Sequence, residues 1–297
     1  MSQGSPRPRV RTDHPYRGHA AALGTRHGKQ AQLSVPLRGM VGIGVLAVDV
    51  DTDALGTFTG EVPRTLSMRD AAIAKARMAI DASGCSLALG SEGTIGPDPQ
   101  LPVLTSDREL LVLVDAGSEA IISASARDFH VVAASALLGP DAELEPFLAR
   151  AQFPRHRLTV RPHGIEPAQL PAELRHKGIA DRSALAFAIR ACAEASPTGQ
   201  ARVESDLRAH CSPSRQAVIT RVAWSLGYRL TRRCPLCAAP GWGQVDSLRG
   251  LPCGLCGTWS PAAVRGQVLG CGQCGHQQER PDGRLAQDPA GCPSCNP

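Results

Sequence analysis

The chain has 297 residues, a formal net charge of +5 and 11 cysteines. Its hydrophobic fraction of 42% supplies enough apolar surface for a buried core, which excludes a wholly disordered chain. No apolar run approaches the ~20 residues that span a bilayer, and the Pro/Arg-rich N-terminus lacks the apolar stretch of a secretory signal. We therefore expect a cytoplasmic protein that makes no membrane contact.

The positive charge is concentrated at the N-terminus. Residues 1–30 contain six lysines and arginines and one acidic residue, which accounts for the whole net charge. Residues 1–18 are rich in proline, glycine and charged side chains, so we predict a flexible basic arm there. Because the remaining residues are electrically balanced, the composition does not favour nucleic acid as the partner.

Residues 19–231 alternate short apolar runs with helical patterns, which predicts an α/β domain. The helix at Ser67 is the best marked, because Ser67 and Asp70 form an S-x-x-D capping box and Gly84 can end the helix. The predicted strands cover residues 20–23, 41–50, 86–89, 110–114, 120–123, 130–134 and 158–161. The predicted helices cover residues 67–82, 142–151, 182–195 and 214–230.

Residues 232–297 form a different module, because glycine, proline and cysteine dominate and helical periodicity stops. Two C-x-x-C turns provide the four thiolates of a tetrahedral zinc site, and four such turns predict a tandem zinc ribbon with two structural Zn²⁺ ions. Sequential pairing, first turn with second and third with fourth, is our prediction, and an interleaved pairing also satisfies eight thiolates. The predicted ligands are Cys234, Cys237, Cys253, Cys256, Cys271, Cys274, Cys292 and Cys295.

The charge of this module bears on its partner. Residues 231–297 contain six arginines and four acidic residues. Since a zinc ion with four thiolates contributes about −2, two such sites leave the module at about −2. Phosphate binding needs a surplus of lysine and arginine, so a scaffold or a protein-docking role is favoured over nucleic-acid binding.

Three stretches of the α/β part carry candidate site residues. A glycine-bracketed loop after the first strand offers Thr25, His27 and Lys29 as phosphate donors, or it is a plain solvated turn. Asp70 and Lys75 lie on the following helix, just after Glu61. Glu92 stands between glycines where an apolar strand ends, a place where ligands bind in α/β sheets.

The order of these stretches resembles the inosine/xanthosine triphosphate pyrophosphatase family. The loop from Thr25 to Lys29 is similar to the family's Thr/Ser-x-Asn loop that ends in lysine. Residues 66–76 are similar to its helix G-L-T-F-x-E-N-A-x-x-K-A, and residues 90–93 to its Asp-Asp-Ser-Gly turn. Residues 212–215 faintly resemble its base-reading Ser-His-Arg.

This resemblance implies a mixed twisted sheet with flanking helices and a Mg²⁺- or Mn²⁺-dependent release of pyrophosphate. It implies that Asp70 and Glu92 are catalytic, metal-binding acids and that Lys29 and Lys75 bind phosphate. Glu61, an acid beside a glycine just before the helix, is a further candidate for the same catalytic role. The whole chain also resembles an uncharacterised bacterial family that combines G-T-x-H-G-K, D-T-D-x-x-G-T-F-T-G-E and a cysteine-rich tail. That second resemblance implies the architecture but no activity.

Residues 202–210 alternate charged or titratable residues with apolar or small ones, which predicts a strand. One face would carry Glu204, Asp206, Arg208 and His210. The two carboxylates would then share a cation while Arg208 binds a phosphate, unless the strand is a solvated edge whose charges pair among themselves.

The leading hypothesis is a metal-dependent hydrolase acting on a nucleotide or another phosphorylated small molecule. The alternative is a nucleic-acid- or protein-binding zinc-ribbon protein without catalytic activity.

Overall fold

A computed structural model describes residues 13–25, 28–56, 62–63 and 65–296. Within these residues the chain forms five α-helices and twelve strands, arranged in three sheets. No helix in the described ranges is both long and apolar enough to cross a membrane. Of the predicted basic arm, residues 1–12 lie outside the described residues. Residues 13–18 depart from that prediction, because His14 and Tyr16 are buried against the core.

The first sheet has five strands in the order β2-β1-β3-β4-β5. β1 is parallel to both β2 and β3, whereas β3, β4 and β5 form an antiparallel meander, so the sheet is mixed as predicted. Helices α1 and α5 cover one face and α2 covers the other. The strands are β1 (Ala20–Gly24), β2 (Gly44–Val48), β3 (Leu87–Pro97), β4 (Thr105–Asp115) and β5 (Ala120–Asp128). The helices are α1 (Gln30–Val41), α2 (Met68–Ser83) and α5 (Pro213–Leu230).

Two of these helices show what local sequence signals do and do not determine. Ser67 caps α2 by accepting a hydrogen bond from the backbone of Asp70, and Gly84 ends it in the left-handed conformation, as predicted. Helix α1 was not predicted, because Pro36 interrupts its pattern. The predicted strand at 41–50 is therefore wrong at its start, and only Gly44–Val48 is strand.

The second sheet has four antiparallel strands in the order β6-β9-β7-β8 and its own core. The predicted α/β range 19–231 thus contains two sheets. Helix α4 packs against this sheet, and the predicted strand at 130–134 is wrong because pairing begins only at Ser135. The elements are β6 (Ser135–Leu138), α3 (Glu145–Arg150), β7 (Leu158–Pro162), β8 (His176–Ile179), α4 (Arg182–Glu194) and β9 (Ala201–Ser205).

The third sheet lies in the cysteine-rich module and follows the order β10-β11-β12. Its strands are β10 (Gly243–Pro252), β11 (Trp259–Gly270) and β12 (Gln277–Pro281). They are antiparallel, so β10 and β11 form a long hairpin with the two ends of the hairpin far apart. This spacing decides which cysteines can meet.

Candidate functional site

Lys29 is buried at the end of β1, directly before α1. β3 pairs with β1 only as far as Leu89, so its next residues pass beyond the end of β1. There Lys29 Nζ donates hydrogen bonds to Ser91 Oγ at 3.0 Å and to the Ser91 carbonyl at 3.3 Å. The side chain is only 8% exposed, and burial lowers the pKa of Lys29 to about 8. A buried cation thus lies beyond the carboxyl end of a parallel strand, where α/β sheets bind ligands.

Lys75 and Glu92 form an ion pair on the opposite face of β3. Both side chains are largely buried between α2 and the sheet. The close approach of α2 depends on Gly90, because a Cβ there would lie 1.7 Å from the Ala72 carbonyl oxygen. Lys29 and Lys75 therefore flank β3 from its two faces, since successive residues of a strand point to opposite sides.

Glu109 and Arg215 form a second, fully buried ion pair, on the Lys29 face. Arg215 Nε donates to Glu109 Oε1 at 2.6 Å, and Arg215 Nη1 donates to the Leu207 carbonyl at 2.7 Å. Gly93 lies opposite Glu109 across the strands, and a Cβ at Gly93 would lie 2.2 Å from Glu109 Oε1. The glycine thus leaves room for the carboxylate. The Glu109 charge is also the main favourable charge acting on Lys29.

Asp107 is the unsatisfied group of this cluster. It is 0% exposed, and neither of its carboxylate oxygens has a hydrogen-bond partner among the described residues. Burial, followed by the Glu109 charge, raises the pKa of Asp107 to about 7. Glu109 Oε2 is likewise buried without a partner. Two adjacent inward-facing carboxylates with unused oxygens are a feature that folding alone does not favour.

The other predicted residues of this site lie elsewhere. Asp70 is exposed, and its carboxylate accepts a hydrogen bond from Ser67 at the start of α2. Thr25 follows β1, and its backbone donates to Val48 at 3.4 Å. His27 and Glu61 lie outside the described residues. Of the predicted residues that the structure describes, Lys29, Lys75 and Glu92 come together around β3.

Residues 202–210 do not form one strand, so the predicted shared cation site is wrong. β9 ends at Ser205, and a short 3₁₀ turn at Ala209–Cys211 follows. Asp206 is buried and accepts hydrogen bonds from Arg208 Nη2 at 2.6 Å and from the Gly178 backbone at 2.9 Å. Glu204 instead lies 3.7 Å from Arg161, and His210 is exposed. Glu204 and Arg208 line one cavity on the four-stranded sheet, whereas the Asp206 carboxylate is occupied by Arg208 and the Gly178 backbone.

The eight C-x-x-C cysteines form two groups, each able to hold one metal ion. The first is Cys234, Cys237, Cys271 and Cys274, and the second is Cys253, Cys256, Cys292 and Cys295. Sulfur atoms from different turns lie 3.7–3.8 Å apart. A tetrahedron with metal–sulfur bonds of about 2.3 Å has edges of about 3.8 Å, whereas a disulfide requires about 2.05 Å. The separations fit two tetrahedral four-thiolate sites.

The pairing is interleaved, so the sequential prediction is wrong. β10 separates the first turn from the second, and its ten residues span about 33 Å. In the hairpin, Gly243 at the start of β10 pairs with Gly270 at the end of β11. The first and third turns therefore meet at one end of the hairpin. β12 runs back along β11, which brings the fourth turn to the second.

The cysteine-rich module packs on the first sheet. Arg229 of α5 is buried and donates to the carbonyls of Ser123 at 2.6 Å, Gly241 at 2.8 Å and Gln244 at 3.0 Å. One guanidinium thus joins the last helix of the α/β part, β5 and the start of the ribbon. Trp242 is buried and stacks on His276 with the ring centroids 5.3 Å apart, whereas Trp259 is 61% exposed.

One family model matches the chain. The model of a family described as Domain of unknown function (DUF6671) matches residues 75–297, from Lys75 of α2 through both cysteine groups. The chain belongs to this family. The resemblance to an uncharacterised family with a cysteine-rich tail is thereby confirmed. No curated protein and no solved structure matches the chain. The pyrophosphatase-like fold of residues 20–95 stays a prediction.

Asp107 and Glu109 were missed from sequence, and Arg215 was noted only through the faint resemblance. The predicted strand began at residue 110, which left the two acids outside it, whereas β4 begins at Thr105. Their spacing of two residues in front of a continuous apolar run was the available signal, because it places both side chains on one face.

Proposed function

We propose that this protein is a divalent-metal-dependent hydrolase of a nucleotide or another phosphorylated small molecule. The single observation that carries the proposal is the burial of Lys29 against Ser91 beyond the end of β1, with the Lys75–Glu92 pair on the other face of β3. Burying a lysine opposes folding unless the charge is used. Two such ammonium groups flanking one strand suit a ligand with several phosphate oxygens.

The lysines would bind phosphate by exchanging partners. In the structure Lys75 is neutralised by its ion pair with Glu92. A phosphate oxygen that formed an ion pair with Lys75 would break that contact and leave the Glu92 carboxylate free beside the ligand. Lys29 keeps its place through two hydrogen bonds to Ser91 and would direct its one remaining N–H donor at a second phosphate oxygen. The lowered pKa of Lys29 means that phosphate binding would also favour its protonated form.

The residues fit a hard divalent cation better at Asp107 and Glu109 than at Asp70. Asp107 has two buried oxygens without partners and Glu109 has one, whereas Asp70 is exposed and occupied by Ser67. Mg²⁺ and Mn²⁺ prefer carboxylate oxygens, so Asp107 and Glu109, which share the Lys29 face of the sheet, are the proposed protein ligands, whereas Glu92 lies on the other face with Lys75. When bound, the ion would neutralise phosphate charge and make a bound water more acidic.

The state of Asp107 would make metal binding depend on pH. Because its pKa is raised to about 7 in the metal-free protein, a cation that binds there near neutral pH displaces a proton from this carboxyl group. Arg215 holds Glu109 in place and shields it from Asp107. These roles use only groups that the fold already brings together.

The decisive assay measures pyrophosphate and phosphate release from a panel of purine and pyrimidine triphosphates with Mg²⁺ or Mn²⁺. We expect release that falls at least about 100-fold in Lys29→Met and in Glu92→Gln. Glu119→Gln is the matched control, because Glu119 is exposed in the β4–β5 turn and should leave the rate unchanged. No release of pyrophosphate or phosphate from any triphosphate, or equal rates in all variants, would overturn the proposal.

We propose that the two cysteine groups hold structural zinc. Each offers four thiolates at tetrahedral separations, which leaves no coordination position for a catalytic water. The role of the module is then to stabilise a docked scaffold, consistent with its packing through Arg229. Metal analysis of the purified protein should find two zinc ions per chain, and finding one or none would contradict this assignment.

A further inference from the structure

A cavity, called here the basic cavity, lies on the four-stranded sheet. It has a volume of about 340 Å³, which is in the range of sites for small molecules. Strands β6, β7, β8 and β9 and the loop before β8 line it. Its charged and titratable lining residues are Arg161, Arg175, His176, Lys177, Glu204 and Arg208. Cationic side chains thus outnumber the single acid.

The three arginines of the basic cavity are held in place by protein acceptors. Arg161 Nη1 donates to the Ile165 carbonyl at 3.3 Å, and Arg175 Nε donates to the Leu170 carbonyl at 2.8 Å. Arg208 is anchored by Asp206. Each of these bonds uses only some of the five N–H donors of a guanidinium. The groups are therefore pre-organised, which lowers the entropy lost when they bind an anion.

His176 lines the basic cavity, but its ring does not face the arginines. It pairs with the buried Val160, and its ring packs edge-on against Phe187 of α4. Glu204 does not cancel the positive charge, because it lies between Arg161 at 3.7 Å and Arg202 at 4.0 Å. Leu170 and Pro167 supply an apolar wall beside these groups. The lining thus offers donors for an oxyanion and contact for a carbon skeleton.

We propose that the basic cavity is a binding site for a small molecule that carries a phosphate group. Planar guanidinium groups with fixed orientation recognise phosphate oxygens through paired hydrogen bonds. The site is separate from the cluster around β3, because it is lined by a different sheet. The inference goes beyond the proposed hydrolase activity and does not rest on it.

Calorimetric titration of the full chain with inorganic phosphate tests the site through a matched pair of variants. Arg161 and Arg202 face each other in the register of β7 and β9, are 27% and 29% exposed, and share Glu204 as a neighbour. Only Arg161 is among the residues that line the basic cavity. We expect Arg161→Met to weaken phosphate binding at least about tenfold and Arg202→Met to leave it within about twofold.

Two further variants keep the test decisive. Glu204→Gln should tighten phosphate binding several-fold, since it removes the acid while preserving shape. Lys29→Met should abolish any hydrolysis and any phosphate binding at the cluster around β3, and it should leave the phosphate binding that depends on Arg161, which separates the two sites. Three results would overturn the proposal: no saturable binding to the unmodified chain, equal losses in Arg161→Met and Arg202→Met, or binding that disappears in Lys29→Met.

Discussion

Arg215 Nε donates a 2.6 Å hydrogen bond to Glu109 Oε1, and both side chains are at most 1% exposed. The pair joins the first turn of α5 to β4 across 106 residues of sequence. Two charges taken from water stabilise each other only while both are present. The pair is therefore sensitive to the loss of either partner, and this sensitivity can be measured.

Replacing Arg215 with methionine should lower the free energy of unfolding by about 3–5 kcal/mol, because it leaves Glu109 buried and unpaired. The double variant Glu109→Gln/Arg215→Met should recover most of that loss, since neither position of the pair then carries a charge. Urea denaturation of the two variants provides the measurement. Equal destabilisation in both would show that packing, and not charge, is what Arg215 contributes.

Asp107 should make the protein less stable as the pH rises from about 4 to about 7. Its pKa is about 7 in the folded protein and near 3.8 in the unfolded chain, so the folded state binds more protons in this window. Asp107→Asn removes this pH-dependent contribution to the free energy of unfolding. Its stability relative to the unmodified protein should therefore increase from pH 4 to pH 8, by a few kcal/mol.

Urea denaturation at pH 4, 6 and 8 gives this difference directly. Asp141→Asn is the control, because Asp141 is exposed and its variant should show a pH-independent difference. A constant difference for Asp107→Asn as well would mean that Asp107 does not titrate in this range.

The interleaved pairing can be tested by counting metal ions in double variants. Cys234→Ser/Cys271→Ser damages one group and should leave one zinc ion per chain. Cys234→Ser/Cys253→Ser damages both groups and should leave none. Native mass spectrometry separates the two results. Sequential pairing predicts the reverse, with one ion left in the second variant and none in the first.

Lys29 should impose a basic limit on activity. Below about pH 8 its ammonium group is charged, and above that pH the buried side chain loses its proton. We expect kcat/KM for the best triphosphate to fall as the pH rises through this value. In Lys29→Arg, which stays charged, the fall should disappear or move to higher pH. An unchanged profile in Lys29→Arg would assign the basic limb to another group.

The sequence predicted the helices and strands that are marked by a capping residue, a terminal glycine or a continuous apolar run. The cap at Ser67 and the glycine at Gly84 placed α2 to within a residue, and apolar runs located β1, β4, β5 and β7. The extent of β3 and β4 could not be predicted, because polar residues such as Ser91, Asp107 and Glu109 interrupt their apolar pattern. These same polar residues belong to the candidate site.

The metal-binding chemistry of the cysteine-rich module can be read from the chain alone, because C-x-x-C spacing already places two thiolates on one turn. Lys29, Lys75 and Glu92 were also recognisable as candidates. Which turns share a metal depends on the fold, since the hairpin of β10 and β11 separates turns that are neighbours in sequence. The fold alone brought Arg215 to Glu109 and left Asp107 without a partner, because burial and pairing over 106 residues depend on how sheet and helix pack.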